Sequence, residues 1–248
     1  MTQTVGEILT HIADFENELP PLVLPKDHPG SQSMAGWIDH TLLKPEAVPG
    51  QVEKLCREAL EYQFASVCVN PVYVPLCHQI LGGSKVLVCT VVGFPLGATF
   101  TQAKVDESLL AIEAGAQEID MVIPVGLLRA GEYEAVAEDI SGVVEASHAH
   151  GAIVKVILEM AFLNRKEKIA GCLLSQAVGA DFVKTSTGFG PGGATLEDVE
   201  LMRRVVGPMM GVKAAGGIRS LADARAMLLA GATRLGTSAG VKIVREAG

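Results

Sequence analysis

The sequence predicts an α/β protein, a closed (β/α)8 barrel preceded by a short helical arm, on three observations. Eight short apolar or β-branched runs alternate with longer stretches of helical period. A Gly-Ala pair recurs at Gly115-Ala116, Gly151-Ala152, Gly179-Ala180 and Gly231-Ala232, in each case between a helical stretch and the next apolar run. A chain of 248 residues, 49% hydrophobic and only 19% charged, leaves about 215 residues after the arm, the size of one such barrel.

The arm comes first. Val5, Ile8, Leu9, Ile12 and Phe15 recur at helical spacing, and Pro20, Pro21, Pro25, Pro29 and Gly30 then punctuate a linker. Residues 1–33 are therefore read as an appended segment and 34–248 as the barrel. Strands are predicted at Trp37–His40, Ser66–Val69, Val86–Val92, Glu118–Ile123, Ile153–Leu158, Phe182–Thr185, Val212–Ala215 and Arg234–Gly236. Two of the intervening helices have clear starts, Thr195 before LEDVELMRRVV and Ser220 before LADARAMLLA, each an N-cap followed by acids that suit the helix dipole. In the Gly-Ala pairs, glycine accepts the left-handed conformation that ends a helix, and the small alanine lets helix and strand pack closely. An open doubly wound sheet is the alternative. It would carry a G-x-G-x-x-G turn after its first strand, where this chain has Asp39-His40-Thr41-Leu42.

Composition excludes several functions. With 20 Lys and Arg against 28 Asp and Glu, the formal charge is -8, which disfavours a phosphate-backbone binder, so no nucleic-acid partner is expected. No membrane span is expected either: the longest apolar stretch, Val86–Ala98, is broken by Gly93, Pro95 and Gly97. The five cysteines, Cys56, Cys68, Cys77, Cys89 and Cys172, form no C-x-x-C pair and have no clustered histidine, so neither disulfides nor a metal site is expected. The N-terminus has acids where a secretory signal has its basic region, and the expected location is the cytoplasm.

Charge placement is more informative than charge total. Four consecutive predicted strands carry a charged residue inside an apolar run: Asp120 in EIDMVI, Lys155 in IVKVILE, Lys184 in DFVKTS and Lys213 in GVKAAG. A covered parallel sheet is apolar on both faces, so such residues are costly unless paired or used. One lysine could snorkel to water from a strand end, but three on adjacent strands would repel one another. That repulsion has a use. A lysine of ordinary pKa is only about 0.04% neutral at pH 7, and half-neutralising it takes about 4–5 kcal/mol. An ammonium ~4 Å away at an effective dielectric near 20 supplies roughly 4 kcal/mol. The neutral amine that results can attack a carbonyl and form a Schiff base, an electron sink for breaking or making the neighbouring carbon–carbon bond, with Asp120 typed to move the protons.

Glycine-rich turns follow the last three strands: TSTGFGPGGAT, AGGIRS and GTSAG. After the last strands of a (β/α)8 barrel, such turns commonly hold a phosphate on backbone N–H groups. Gly188, Gly216, Gly217, Gly236 and Ser238 are the candidate donors, and a small phosphorylated substrate is the expected ligand.

These segments, with IDHTLLKPEA at 38–47, SVCVNP at 66–71, VCTVVGFPLGA at 88–98, VKTSTGFG at 183–190 and VKAAGGIR at 212–219, resemble the deoxyribose-phosphate aldolases, a family of class I aldolases with the (β/α)8 fold. The resemblance implies a lyase of deoxyribonucleoside catabolism that reversibly cleaves 2-deoxy-D-ribose 5-phosphate to acetaldehyde and D-glyceraldehyde 3-phosphate, with no metal or organic cofactor. Lys184 falls at the family's Schiff-base lysine, Lys213 at the second lysine that perturbs it, and Asp120 at the proton-transfer aspartate. The resemblance further implies substrate-lining roles for Asp39, Cys68 and Lys155, and a homodimer or higher homo-oligomer; Thr41 and Thr185, within the matching segments, are further substrate-binding candidates. Some members end in a tyrosine that reaches the site; this chain ends VKIVREAG, with tyrosines only at Tyr62, Tyr73 and Tyr133, so that relay is not expected. A Schiff-base aldolase acting on another sugar phosphate, or a non-catalytic barrel that binds phosphosugars, are the competing readings.

Overall fold

All eight predicted strands form, and each pairs in parallel with its sequence neighbours until the last closes on the first. The computed structural model describes residues 5–26, 28 and 33–248. Its helices and strands run α1 (Val5–Asn17), β1 (Ile38–Leu42), α2 (Pro49–Tyr62), β2 (Ser66–Val69), α3 (Val74–Leu81), β3 (Leu87–Val92), α4 (Thr101–Glu113) and β4 (Glu118–Val122). They continue with α5 (Val125–Ala130), α6 (Tyr133–His148), β5 (Ile153–Ile157), α7 (Arg165–Ala177), β6 (Phe182–Lys184), α8 (Leu196–Val206), β7 (Gly211–Ala215), α9 (Leu221–Leu229), β8 (Arg234–Thr237) and α10 (Gly240–Glu246). This is the (β/α)8 barrel that the alternation predicted, and the closing register pairs Ile38 with Leu235 and Asp39 with Gly236.

The local signals act as their chemistry requires. Thr195 Oγ1 accepts from the Asp198 amide and Ser220 Oγ from the Asp223 amide, capping α8 and α9. Asn164 caps α7 in the same way, with Glu167 bonding back to its amide. The four Gly-Ala glycines have φ of +111°, +76°, +82° and +114°, and the alanine after each is buried. At Gly115 the space is closed as well: a Cβ there would meet the His78 ring at 2.3 Å. Val, Ile, Leu and Met from the outward strand faces pack against the helices to form the main core.

The predicted N-terminal helix lies on α7, with Ile8 and Ile12 buried in the main core. Beyond it, Arg204 donates to the Pro20 carbonyl at 3.4 Å, and the His28 ring lies 2.5 Å from the Ala232 carbonyl, just before β8. Pro29 and Gly30 of the predicted linker lie outside the described residues. Among the described residues, no helix is long and apolar enough to cross a membrane.

Candidate active site

Inward-pointing side chains of a barrel normally fill it with apolar volume, and here a large share of that volume is charged. Alternation along β4 places Glu118 and Asp120, two residues apart, on the same inner face. The strand registers then set Asp120 beside Lys155, Lys184 beside Lys213, and Lys213 beside Arg234.

The result is a closed ring of alternating charge. Asp120 Oδ2 accepts from Lys213 Nζ at 2.7 Å; Lys213 Nζ lies 2.5 Å from Asp39 Oδ2; Arg234 Nη1 donates to Asp39 Oδ1 at 2.6 Å and to Glu118 at 3.2 Å. Lys155 Nζ closes the circuit, donating to Glu118 Oε2 at 2.6 Å and to Asp120 Oδ1 at 2.9 Å. Ser66 Oγ supports Asp39 from β2, and the Cys89 thiol from β3 donates to Asp120 Oδ1 at 3.2 Å. Lys184 hangs on this ring by one bond, from its Nζ to Asp120 Oδ2 at 2.7 Å.

Burial and pairing oppose each other throughout. Burial alone would raise the carboxyl pKa of Asp120, but Lys155, Lys184 and Lys213 outweigh it and hold the group well below the usual carboxylate range. Asp39 is held down in the same way, chiefly by Arg234 and Lys213. Burial pushes Lys213 down, while Asp120 and Asp39 more than compensate and keep its ammonium above the usual lysine value; Lys155 is raised likewise. This changes the electrostatic expectation for the lysine pair. The two ammonium groups do not simply repel, because one Asp120 oxygen sits between them. What remains is a surplus of one formal positive charge, since Asp39, Glu118 and Asp120 face Lys155, Lys213, Arg234 and Lys184.

Above this floor opens a cavity of about 410 Å³, whose lining includes Lys184. Of the predicted ligand-facing residues, Thr41, Gly188, Gly216, Gly217, Gly236 and Ser238 also line it. Gly216 and Gly217 are consecutive left-handed residues at φ +88° and +85°, and a Cβ on Gly216 would meet Gly193 Cα at 2.9 Å, so this turn and the loop after β6 touch through glycine. Gly236 leaves room for the stem of Lys213, whose Cε would lie 3.2 Å from a Cβ there.

Other predicted residues sit outside the lining. Asp39 and Lys155 are sealed in the ring. Cys68 joins Leu43, Cys89 and Val91 in a small apolar cluster inside the barrel, with Phe94 packed on it. Thr185 Oγ1 accepts from the Ala215 amide and donates to the Ala215 carbonyl, tying β6 to β7. None of the three tyrosines lines the cavity.

Sequence reasoning missed several contributors. Glu118 and Arg234 complete the ring, and Lys44 and Arg219 add cations at the mouth. Glu159, after β5, adopts a left-handed conformation at φ +54° and accepts from both the amide and the hydroxyl of Thr187, which orients the turn carrying Gly188 and Phe189. Phe189, part of the cavity lining, meets Phe94 edge-on at 5.3 Å.

Two buried trios, Cys68–Cys89–Asp120 and Asp39–Cys89–Glu118, bring potential metal donors within 4.8 Å of one another. Their carboxylates are already charge-paired with lysine and arginine, so a divalent cation would have to displace an ammonium or guanidinium. The chemistry that the arrangement itself offers is an amine nucleophile on a carboxylate, at the floor of a cavity with a glycine-lined, cationic rim.

The DeoC/LacD family aldolase profile matches residues 34–246. The deoxyribose-phosphate aldolase of Caldanaerobacter subterraneus is 58% identical over 215 residues, covering 86% of this chain and 93% of its own, and that of Streptococcus uberis is 60% identical over 208 residues, covering 84% and 94%. Among solved structures, a proposed deoxyribose-phosphate aldolase from Coccidioides immitis superposes with a TM-score of 0.91 at 45% identity, covering 99% of this chain and 98% of its own. The tetrameric deoxyribose phosphate aldolase of Aeropyrum pernix follows with a TM-score of 0.81 at 39% identity, covering 86% and 90%. With the profile running from just before β1 to the last turn of α10, the chain belongs to the DeoC/LacD family of aldolases.

Proposed function

We propose that the protein is a deoxyribose-phosphate aldolase that cleaves 2-deoxy-D-ribose 5-phosphate reversibly to acetaldehyde and D-glyceraldehyde 3-phosphate through a Schiff base on Lys184. The observation that carries this reading is the placement of Lys184 at the cavity floor, sharing one Asp120 oxygen with Lys213.

In the cleavage direction the neutral Lys184 amine attacks C1 of the open-chain aldehyde, and the carbinolamine loses water to give an iminium. The C3 hydroxyl gives its proton to the Asp120 carboxylate, its O–H electron pair forms the new carbonyl, the C2–C3 bond breaks, and the pair from that bond passes to the iminium to give an enamine. Glyceraldehyde 3-phosphate leaves. Protonation of the enamine at C2 and addition of water then release acetaldehyde and restore the amine. Asp120 Oδ2 touches Lys184 and is the group that takes and returns protons during carbinolamine formation and collapse. Lys213, bonded to the same oxygen, keeps that carboxylate ionised and fixed.

The substrate phosphate is assigned to the rim, on the turn at Gly216–Gly217 and at Ser238, with Arg219 as its charged partner. Residues 1–33 are assigned as an arm that takes no part in the chemistry, its helix α1 lying on α7, in keeping with the start of the family match at residue 34.

Borohydride reduction in the presence of acetaldehyde tests the reading. A two-carbon adduct on Lys184, located by peptide mass, and loss of cleavage in Lys184→Ala are the expected results. No adduct there, full activity without the lysine, or release of dihydroxyacetone phosphate rather than acetaldehyde as the donor fragment would each overturn it.

A further inference from the structure

We propose that Glu118 and Arg234 are positioning residues that tune the aldolase from below: they touch no substrate, and they set how readily the catalytic cluster gives up one proton. The inference rests on the assignment of Lys184 as the nucleophile.

Both residues are the first of their strands, β4 and β8, at the end of the barrel opposite the loops that form the cavity. Neither lines the cavity. They are bonded to each other at 3.2 Å and link the two halves of the ring, Arg234 to Asp39 at 2.6 Å and Glu118 to Lys155 at 2.6 Å. Every other ring member contacts Asp120 or Lys213, which in turn contacts the oxygen that holds Lys184.

The ring alone is balanced, with three carboxylates against Lys155, Lys213 and Arg234. Lys184 is the surplus cation, so its deprotonation brings the whole cluster to neutrality. Among the described residues, the thiols of Cys68 on β2 and Cys89 on β3 also share the interior, and the mouth adds the cations Lys44 and Arg219 and, after β5, the carboxylate of Glu159 that holds Thr187. Glu118 is buried, so water and salt do little to screen a change of charge there. Groups coupled this tightly titrate as a unit, and the acidic limb of a pH–rate profile reports the unit.

Removing one sign or the other should therefore move that limb in opposite directions. Glu118→Gln leaves an excess of cations, makes loss of a proton easier, and moves the acidic limb of kcat/KM to lower pH. Arg234→Met keeps an unbranched side chain of similar reach, removes the cation that lies over the Phe182 ring, and moves the limb to higher pH. Transmitted across the intervening ring members at an effective dielectric near 20, each shift is about one pH unit. Arg234→Lys keeps the charge and should leave the limb in place. The double variant, Glu118→Gln with Arg234→Met, restores balance and should return the limb close to its original position.

The experiment is the pH dependence of deoxyribose 5-phosphate cleavage by the full chain and these variants, each checked for folding by circular dichroism. Opposed shifts from the two single variants, cancelled in the double, are the expected result. Shifts in the same direction, no shift in a folded single variant, or a shift in Arg234→Lys as large as in Arg234→Met would overturn the proposal. A purely structural role lowers kcat without an opposed movement of the limb. If only one single variant folds, the sign of its shift decides. Borohydride trapping on the unsubstituted chain separates the two levels: no adduct at Lys184 removes the aldolase reading, whereas an adduct with no opposed shifts removes only the role of Glu118 and Arg234.

Discussion

The floor and the mouth of this barrel are built from opposite materials. The floor is a ring of six charged side chains with almost no exposure, five of them sealed and only Arg234 reaching 14%. The mouth is glycine, threonine and phenylalanine around open space, with Lys44 and Arg219 as its charged groups. A sealed ring is rigid and strongly coupled electrostatically, so it suits control of protonation; a glycine-lined rim exposes backbone and suits contact with a ligand. Lys184 stands at the boundary, bonded through its Nζ to the floor and forming part of the cavity lining. The difference teaches a division of labour: substitutions in the floor should act on turnover and pH dependence, and those in the mouth on substrate affinity.

Asp120→Asn is the hardest test of the floor. It keeps the shape of the side chain but removes the charge shared by three lysines, and kcat should fall by roughly 10²–10⁴-fold, the usual worth of a positioned acid–base group, with little change in KM. Stability should fall as well, by roughly 3–5 kcal/mol, because buried cations are left uncompensated. The pH dependence has a definite sign. Asp39 and Asp120 titrate below their unfolded values, so the stability they contribute is complete above the ordinary carboxylate range and is lost as pH falls through their lowered native values. Acid unfolding followed by circular dichroism should be flatter in Asp120→Asn than in the parent. A large rise in KM with kcat preserved would break the division between floor and mouth.

The mouth is tested by Arg219→Gln. A charge-assisted bond to a phosphate contributes roughly 1.5–3 kcal/mol, so kcat/KM for the 5-phosphate should drop by about 10- to 100-fold, mostly through KM. Cleavage of unphosphorylated 2-deoxyribose should change little. Equal losses on both substrates would show that Arg219 serves the fold of the β7–α9 turn and not the phosphate.

The two regions were unequally legible in the sequence. Runs such as VLVCTVV and the four Gly-Ala pairs announce strands and helix ends by local chemistry, and all eight strands lie within two residues of where the pattern places them. Lys155, Lys184, Lys213 and Asp120 stand out as charges inside apolar runs. Glu118 and Arg234 do not, because the first residue of a strand reads as a polar flank, and only barrel closure brings β8 beside β1 and Arg234 against Asp39. The spacing of Glu118 and Asp120 was the available signal, since two residues apart on a strand means one face. Asp120 sitting between two lysines is a three-dimensional fact that a strand-by-strand reading replaces with repulsion. Glu159 was hidden for another reason: its left-handed backbone and its hold on Thr187 belong to a loop, where no periodicity operates.

The smallest effect on turnover should come from the arm, and that makes it a control for both regions. Ile12 is buried on α7, whose residues do not line the cavity. Ile12→Ala leaves a cavity in the main core and should cost roughly 2–5 kcal/mol, lowering Tm by about 2–4 °C per kcal/mol for a chain of this size. If α1 serves only to cover the barrel wall, kcat, KM and the pH profile measured well below the new Tm should coincide with those of the parent. A change in kcat at unchanged pH dependence would mean that support of the wall reaches the floor through α7, and a change in KM would mean that it reaches the mouth. Either outcome would withdraw the assignment of residues 1–33 as a segment apart from the chemistry, because a buried isoleucine with no charge to contribute can influence the site only by moving the strands that hold it.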